Sequence, residues 1–385
     1  MICHVGPTNS GKTHSALKAM TESGSGIYCG PLRLLAWEVA DKLAQQGIQC
    51  NLITGQEREV HEEARFTSCT VEMLDTGVPY ESAVVDEFQL VGDFHRGWAW
   101  TRAILGIQVL TDIAVGASSE KNNDTLQAKE IHLCGSPTML GIVKKICAIT
   151  GNEMSVLEYE RLSPLVIGEN ALCSYKNVRK GDCVIGFSRA ILYDIKAKIE
   201  KVNRNIKCCI IYGNLPPTTR KEQAKLFNSD SSGYDVLVAS DAVGMGLNLS
   251  IRRVILSTLT KFDGNSRRQL FSSEIKQIGG RAGRFSSLFE NGEVITYHER
   301  DMQRLRSAIT SKDALIKSAG LSPSKEQLEI FGIMVDLAVT QSELTGFWGN
   351  YLGEYWGSES LRTDAMESVL TVGRSLFPFE SLTFS

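Results

Sequence analysis

Short apolar runs alternate with amphipathic stretches along most of this chain. ICHV (2–5) and GIYCG (26–30) read as buried strands. THSALKAM (13–20) and LLAWEVADKLAQQ (34–46) read as helices, the second with Leu35, Val39 and Leu43 on one face. NLIT, SAVVDE and EIHLCG are further strand patterns. Such alternation predicts β-α-β units, a parallel sheet and helices on both of its faces. The polar run 116–129 reads as an inserted loop.

After residue 160 the alternation resumes. DCVIGFS (182–188) predicts a strand and 189–202 a basic amphipathic helix, and CCIIYG, YDVLVAS and RRVILST predict three more buried strands. A second parallel α/β domain follows. The pattern is helical from 299 to 331. Residues 335–385 carry seven acids against two basic residues, with aromatic clusters and weak periodicity, and predict no fold.

Composition narrows this little. Of 385 residues, 43% are hydrophobic and 22% charged, as in ordinary globular chains. A net charge of −3 gives no overall basic signature. Locally, 176–225 holds twelve Lys or Arg against four acids, either a nucleic-acid track or a solvated helix face. The ten cysteines show no CxxC and the six histidines no HExxH, so buried reduced thiols are expected and no metal-ligand cluster. No run approaches a membrane span, and no signal or transit segment is expected. Met1 stands five residues before the first motif, an abrupt start that suggests a trimmed, processed or incomplete chain.

That motif is Gly6-Pro7-Thr8-Asn9-Ser10-Gly11-Lys12-Thr13, a G-x-x-x-x-G-K-[ST] loop between a strand and a helix. Its N–H groups and the helix N-terminus suit phosphate oxygens, Lys12 the β- and γ-phosphates, and Thr13 a magnesium ion. Asp86 and Glu87 end the strand SAVV. One acid can hold the magnesium and the other act as base toward the attacking water. Gln277, Arg281 and Arg284 belong to a glycine-flanked arginine run, QIGGRAGR (277–284). Its guanidiniums suit charge on a transferring phosphoryl group. Residues 240–248, SDAVGMGLN, carry small residues that fit a backbone lying close to a nucleic acid or an inter-domain cleft.

In this order the motifs resemble superfamily-two helicases of the DExH/D class, and more closely the Suv-three family of mitochondrial degradosome RNA helicases. GPTNSGKT (6–13), GPLRLLAWEV (30–39), SCTVEM (68–73), VVDEFQ (84–89), RGWAWTRAILG (96–106), HLCGSP (132–137), YGNLPPTTR (212–220), SDAVGMGLNLSIRRVI (240–255) and QIGGRAGRFSS (277–287) carry the likeness. It covers residues 2–334, with GLSPSKEQLEIF (320–331) similar to a C-terminal helical segment.

The resemblance implies two tandem RecA-like domains, 1–155 and 156–300, then a helical segment 301–334 and an unassigned tail 335–385. It implies ATP and magnesium in the cleft, with Gly246 reaching the nucleotide. Pro31, Leu32, Arg33, Thr70, Glu72, Phe187, Ser188, Arg189, Ser240 and Asp241 would contact RNA, and residues 134–137 would couple hydrolysis to domain movement. Further implications are a single-stranded or 3′-tailed RNA, 3′ to 5′ travel, an exoribonuclease partner and the mitochondrial matrix. Trp98 and Trp100 read as packing residues rather than base-stacking ones. The family's segments before the phosphate loop are absent here, the 110–130 loop is long, and DEFQ replaces the usual DEIQ. From the motifs alone, a DNA-translocating helicase and a non-catalytic RNA-binding remnant stay open.

Overall fold

The computed structural model describes residues 1–107, 130–244, 249–283, 289 and 291–321. Two parallel sheets dominate it. The first is built from β1 (Ile2–Val5), α1 (Lys12–Glu22), β2 (Gly26–Gly30), α2 (Arg33–Gln45), β3 (Cys50–Ile53), β4 (Arg58–Glu59), β5 (Phe66–Thr70), β6 (Ser82–Val85), α3 (Gly97–Gly106), β7 (Glu130–Gly135), α4 (Leu140–Thr150) and β8 (Ser155–Glu158). Its strands run in the order β4-β3-β5-β2-β6-β7-β1-β8, parallel except where β4 meets β3. β2, β5 and β6 are buried throughout because helices cover the sheet, which is why their sequences are nearly continuous in apolar or small residues.

The second sheet uses β9 (Leu165–Ile167), β10 (Asp182–Ile185), α5 (Arg189–Val202), β11 (Lys207–Ile211), α6 (Pro217–Asn228), β12 (Tyr234–Ala239) and β13 (Arg253–Leu256). After an antiparallel hairpin of β14 (Thr260–Phe262) and β15 (Arg267–Gln269) come α7 (Ser272–Gly279), β16 (Gly292–Thr296) and α8 (Glu299–Thr310). The order is β11-β12-β10-β13-β16-β9, all parallel. The predicted α/β class is therefore found twice.

Helix α5 matches its predicted span, with Leu192, Ile195 and Ile199 inward and Ser188 as N-cap, its side chain accepting from the Ile191 N–H at 3.3 Å. At the sheet's other end Arg253 forks onto Asp182, Nε to Oδ1 at 3.0 Å and Nη2 to Oδ2 at 2.6 Å, joining the starts of β13 and β10.

Several expectations shift. β8 belongs to the first sheet, so the change of sheet falls after residue 158 rather than at 155. Leu35 is only partly buried, whereas Leu34, Ala36, Val39 and Leu43 are buried, Val39 and Leu43 in the core of the first sheet and Leu34 against the hydrophobic cluster of the second. The helical pattern from 299 ends at Thr310, and residues 312–321 form no helix. The expected loop 116–129 and the tail 335–385 lie outside the described residues. Nine cysteines are buried, and Cys173 is exposed. No helix among the described residues is long and apolar enough to cross a membrane.

Residues 91–101 with 317–321 group apart from 1–90 with 102–316. In that smaller group the Gly320 N–H donates to the Val91 carbonyl at 3.0 Å. Trp100 is fully buried, with the Arg96 guanidinium 5.4 Å from its ring centre, and so cannot stack on a base.

Candidate active site

The phosphate loop joins β1 to α1, and α1 begins at Lys12. Gly11 allows the sharp entry, with φ +82, a conformation costly for any residue with a Cβ. Asn9 is also left-handed, φ 62. The Lys12 ammonium is buried and donates to the Pro7 carbonyl at 3.0 Å, across the mouth of its own loop. The Ser10 hydroxyl is buried with no hydrogen-bond partner among the described residues. An orphaned donor there is a fitting place for a phosphate oxygen.

Asp86 and Glu87 follow β6, at the carboxyl edge of the sheet. The Asp86 carboxylate accepts the Thr13 hydroxyl at 3.1 Å, the Tyr28 hydroxyl at 3.0 Å and the Glu87 N–H at 2.9 Å. Burial, reinforced by the neighbouring Glu87 carboxylate, pushes the Asp86 carboxyl above its ordinary range, while Lys12 and the hydrogen bonds pull it back. Among the described residues no group of three or more His, Cys, Asp or Glu gathers as metal ligands. A lone carboxylate beside a threonine hydroxyl instead fits magnesium that shares most of its shell with phosphates and water.

Glu87 has φ 50, so with Asn9 two of the three non-glycine residues at positive φ among the described residues lie here. Gln89 donates its side-chain N–H to the Glu87 carboxylate and accepts the Ser136 N–H at 3.1 Å on its Oε1. A direct link therefore runs from the candidate base to the 134–137 segment.

The second sheet supplies the turn after α7. Gly280 and Arg281 line the same cavity as Ser10, Lys12, Thr13 and Glu87, with a volume of about 500 Å³. Arg281 is buried and donates through Nε to the Gly244 carbonyl at 2.8 Å. A Cβ on Gly280 would lie 1.9 Å from the Thr8 hydroxyl, so the two loops touch backbone to side chain. Gln277, although on α7, is not among the residues lining the cavity. Arg284 and Gly246 lie outside the described residues.

The expected RNA residues fall at the carboxyl ends of four strands. Pro31, Leu32 and Arg33 follow β2, Thr70 ends β5 with Glu72 just beyond it, Phe187, Ser188 and Arg189 follow β10, and Ser240 and Asp241 follow β12. Arg33, Ser188 and Arg189 are exposed, whereas Thr70 is buried. The Arg189 guanidinium lies 5.9 Å from the Tyr193 ring centre and 5.7 Å from that of Tyr212. Asp241 pairs with Lys261 at 3.4 Å.

Tyr28 and Gln89 enter the site, and Arg161 donates to the Thr8 and Gly280 carbonyls beside it, without having been singled out as site residues. Gln89 had a signal, its place in the acid box. Tyr28 and Arg161 had none, because one is a strand interior and the other sits in a connecting segment.

Residues 1–123 match the family model of the DEXQ-box helicase domain of Suv3, and residues 168–286 that of the helicase conserved C-terminal domain. The chain is 48% identical over 334 residues to the mitochondrial ATP-dependent RNA helicase SUV3L of Oryza sativa subsp. japonica, covering 86% of this chain and 43% of that protein. It is 48% identical over 328 residues to the mitochondrial DExH-box ATP-dependent RNA helicase DExH16 of Arabidopsis thaliana, covering 85% and 54%. To the mitochondrial ATP-dependent RNA helicase SUPV3L1 of Homo sapiens it is 41% identical over 364 residues, covering 90% and 44%. The chain spans about half the length of the curated relatives it matches.

Proposed function

We propose, on the premise that this chain carries a Suv3-type DEXQ-box helicase domain followed by a helicase C-terminal domain, that it is an ATP-dependent RNA helicase. One observation carries the reading: the phosphate loop, the acid pair and the Gly280–Arg281 turn of the second sheet line a single cavity.

In this reading Lys12 holds the β- and γ-phosphates, and the N–H groups of residues 6–13 cradle the oxygens. Thr13 and Asp86 hold magnesium, which neutralises phosphate charge when bound. Glu87 receives a proton from the attacking water, and Gln89 keeps its carboxylate turned toward Ser136. Arg281, with Arg284 and Gln277 from the same run, stabilises charge on the transferring phosphoryl group as the sheets close. RNA lies across the carboxyl edges, held through phosphate and sugar by Arg33, Ser188, Arg189 and the neighbouring candidates, with little sequence preference. The mitochondrial names of the relatives support a place in the mitochondrion, and the family resemblance supports the matrix and work in RNA surveillance beside an exoribonuclease.

ATP turnover by the purified chain, with and without single-stranded RNA or DNA of the same sequence, tests this. The expected result is turnover that RNA stimulates and Lys12→Ala abolishes. Stimulation by DNA alone would reassign the substrate, and turnover indifferent to Lys12 would end the ATPase reading.

A further inference from the structure

Arg161 lies in the segment that leads from β8 of the first sheet to β9 of the second. Its guanidinium reaches a loop of each, the phosphate loop and the turn after α7. Nε donates to the Ser163 carbonyl at 2.7 Å, which sets the plane of the fork. Nη1 donates to the Thr8 carbonyl at 3.1 Å and the Thr8 hydroxyl at 3.4 Å, both in the phosphate loop, and to the Gly280 carbonyl at 2.9 Å. Nη2 donates to the Ala282 carbonyl at 2.5 Å. The carbonyls on either side of Arg281 are thus held by one cation, together with a carbonyl of the phosphate loop.

The neighbouring bonds reinforce this joint. The Leu162 N–H donates to the Asn9 carbonyl at 2.9 Å, and the Asn9 side-chain amide donates to the Gly283 carbonyl at 3.2 Å. Asn9 is left-handed, and these contacts hold it there. The peptides are trans, so fixing the Thr8 carbonyl on Arg161 turns the Asn9 N–H to the opposite side of that peptide. A charged donor on a carbonyl makes a stronger bond than a neutral one. A planar five-donor fork can serve several carbonyls at once, whereas a lysine ammonium is a single point on a flexible stem.

We propose that Arg161 is a positioning residue for nucleotide hydrolysis: it clasps the Gly280–Gly283 turn to the phosphate loop and thereby sets Arg281 against the nucleotide. The inference rests on the ATPase reading above. Arg161 acts through Arg281, so losing it costs turnover rather than nucleotide affinity. A misplacement of about 1 Å at a catalytic group costs roughly 10²-fold, and the loss expected for Arg161→Lys is about 10- to 100-fold in kcat.

The test uses the full chain as wild type, Arg161→Lys, Arg161→Gln, Arg281→Ala and the Arg161→Lys/Arg281→Ala pair. RNA-stimulated turnover gives kcat and KM, titration with a fluorescent ADP analogue gives affinity, and hydrogen exchange is followed in the nucleotide-free protein. Arg161→Lys should lower kcat while ADP affinity stays within about 3-fold, and the double variant should be no more than about 3-fold slower than Arg281→Ala, the signature of two residues acting as one unit. In the nucleotide-free protein, exchange in 6–11 and 280–283 should rise in Arg161→Lys and Arg161→Gln, with the rest of the chain unchanged.

Wild-type turnover in Arg161→Lys, equal losses of affinity and kcat, or additive losses in the double variant would overturn the proposal. Unchanged exchange in both loops would do the same. If the wild-type chain hydrolyses no ATP, the ATPase reading falls by itself, and the exchange data still decide whether Arg161 joins the two loops.

Discussion

The Thr13 hydroxyl donates to the Asp86 carboxylate at 3.1 Å, across a sequence separation of 73 residues. The last residue of the phosphate loop and the first acid of the DEFQ box therefore meet at one point. Two oxygens converge there beside an ammonium, that of Lys12.

Lys12→Ala should abolish turnover and weaken nucleotide binding, because it removes the positive charge assigned to the β- and γ-phosphates. Glu87→Gln should keep binding and lose hydrolysis, since the fold and the Thr13–Asp86 pair survive while the proposed base is gone. Nucleotide-retention and turnover assays on the two variants separate these outcomes. Wild-type turnover in Glu87→Gln would reassign the base.

Gln89 touches both Glu87 and the Ser136 N–H. Gln89→Leu cuts that link but leaves the phosphate loop intact. RNA-stimulated turnover should fall by up to about 10²-fold, the scale for misplacing a catalytic group by about 1 Å, with nucleotide affinity unchanged. A comparison of turnover with saturating RNA and without it checks this. An equal loss in both conditions would limit Gln89 to holding the base.

Burial raises the Asp86 carboxyl, and the Tyr28 hydroxyl bond lowers it. A protonated Asp86 cannot serve as a magnesium ligand, so magnesium affinity should fall as pH drops through the raised range. Tyr28→Phe removes a lowering influence and should move that loss to higher pH, seen in magnesium titrations across about pH 5 to 8. In the metal-free protein the sign reverses. The folded carboxyl takes up its proton before the unfolded one does, so this group alone favours the fold as pH falls. Identical profiles for wild type and Tyr28→Phe would remove Tyr28 from the account.

His4 stacks its hydrogen bonds inside the first sheet, Nδ1 with the Tyr159 hydroxyl at 2.8 Å and Nε2 with His132 Nδ1 at 2.9 Å. Burial lowers both imidazoles, His132 to about 4 against the ordinary 6.5, with His4 and the chain's amino group adding to the effect. Above 6.5 both states are neutral and the stability is fully present. Between 6.5 and about 4 the unfolded histidines bind protons first, and stability is lost as pH falls. Thermal melting across this window should show the decline, and His132→Gln should flatten it. Equal slopes would place the acid sensitivity elsewhere.

The fork of Arg253 onto Asp182 is almost wholly shielded from water. Arg253→Met leaves Asp182 buried without that partner and should cost about 3–5 kcal/mol, read from the denaturation midpoint of the full chain. Adding Asp182→Asn should recover part of the loss, because the uncompensated charge goes. A cost below about 1 kcal/mol would mean that water reaches the pair.

Strands buried on both faces were legible as apolar runs, as β2, β6, β10 and β13 illustrate, because a strand covered by helices has no polar face to display. β8 was not, since all four of its residues are exposed at the sheet edge. β14 and β15 were equally silent, being short and largely polar. The phosphate loop and acid box were legible because their chemistry needs fixed residue types at fixed spacing.

Local sequence by itself determined the helices and strands with covered faces, the turn that Gly11 permits and the identity of the groups proposed to meet phosphate. Only the tertiary structure decided which residues became neighbours across long separations. Tyr28 reached Asp86 because β2 and β6 pair in register, with Cys29 opposite Val85. Leu35 lines the cavity while its neighbour Leu34 packs into the hydrophobic cluster of the second sheet, a division of α2 between two surroundings that its apolar spacing does not show. Arg161 found Thr8, Gly280 and Ala282 because the two sheets close around the segment that joins them. Carbonyl acceptors are common to every residue and leave no mark in sequence, so an arginine bound mainly to backbone carbonyls becomes visible once the chain has folded.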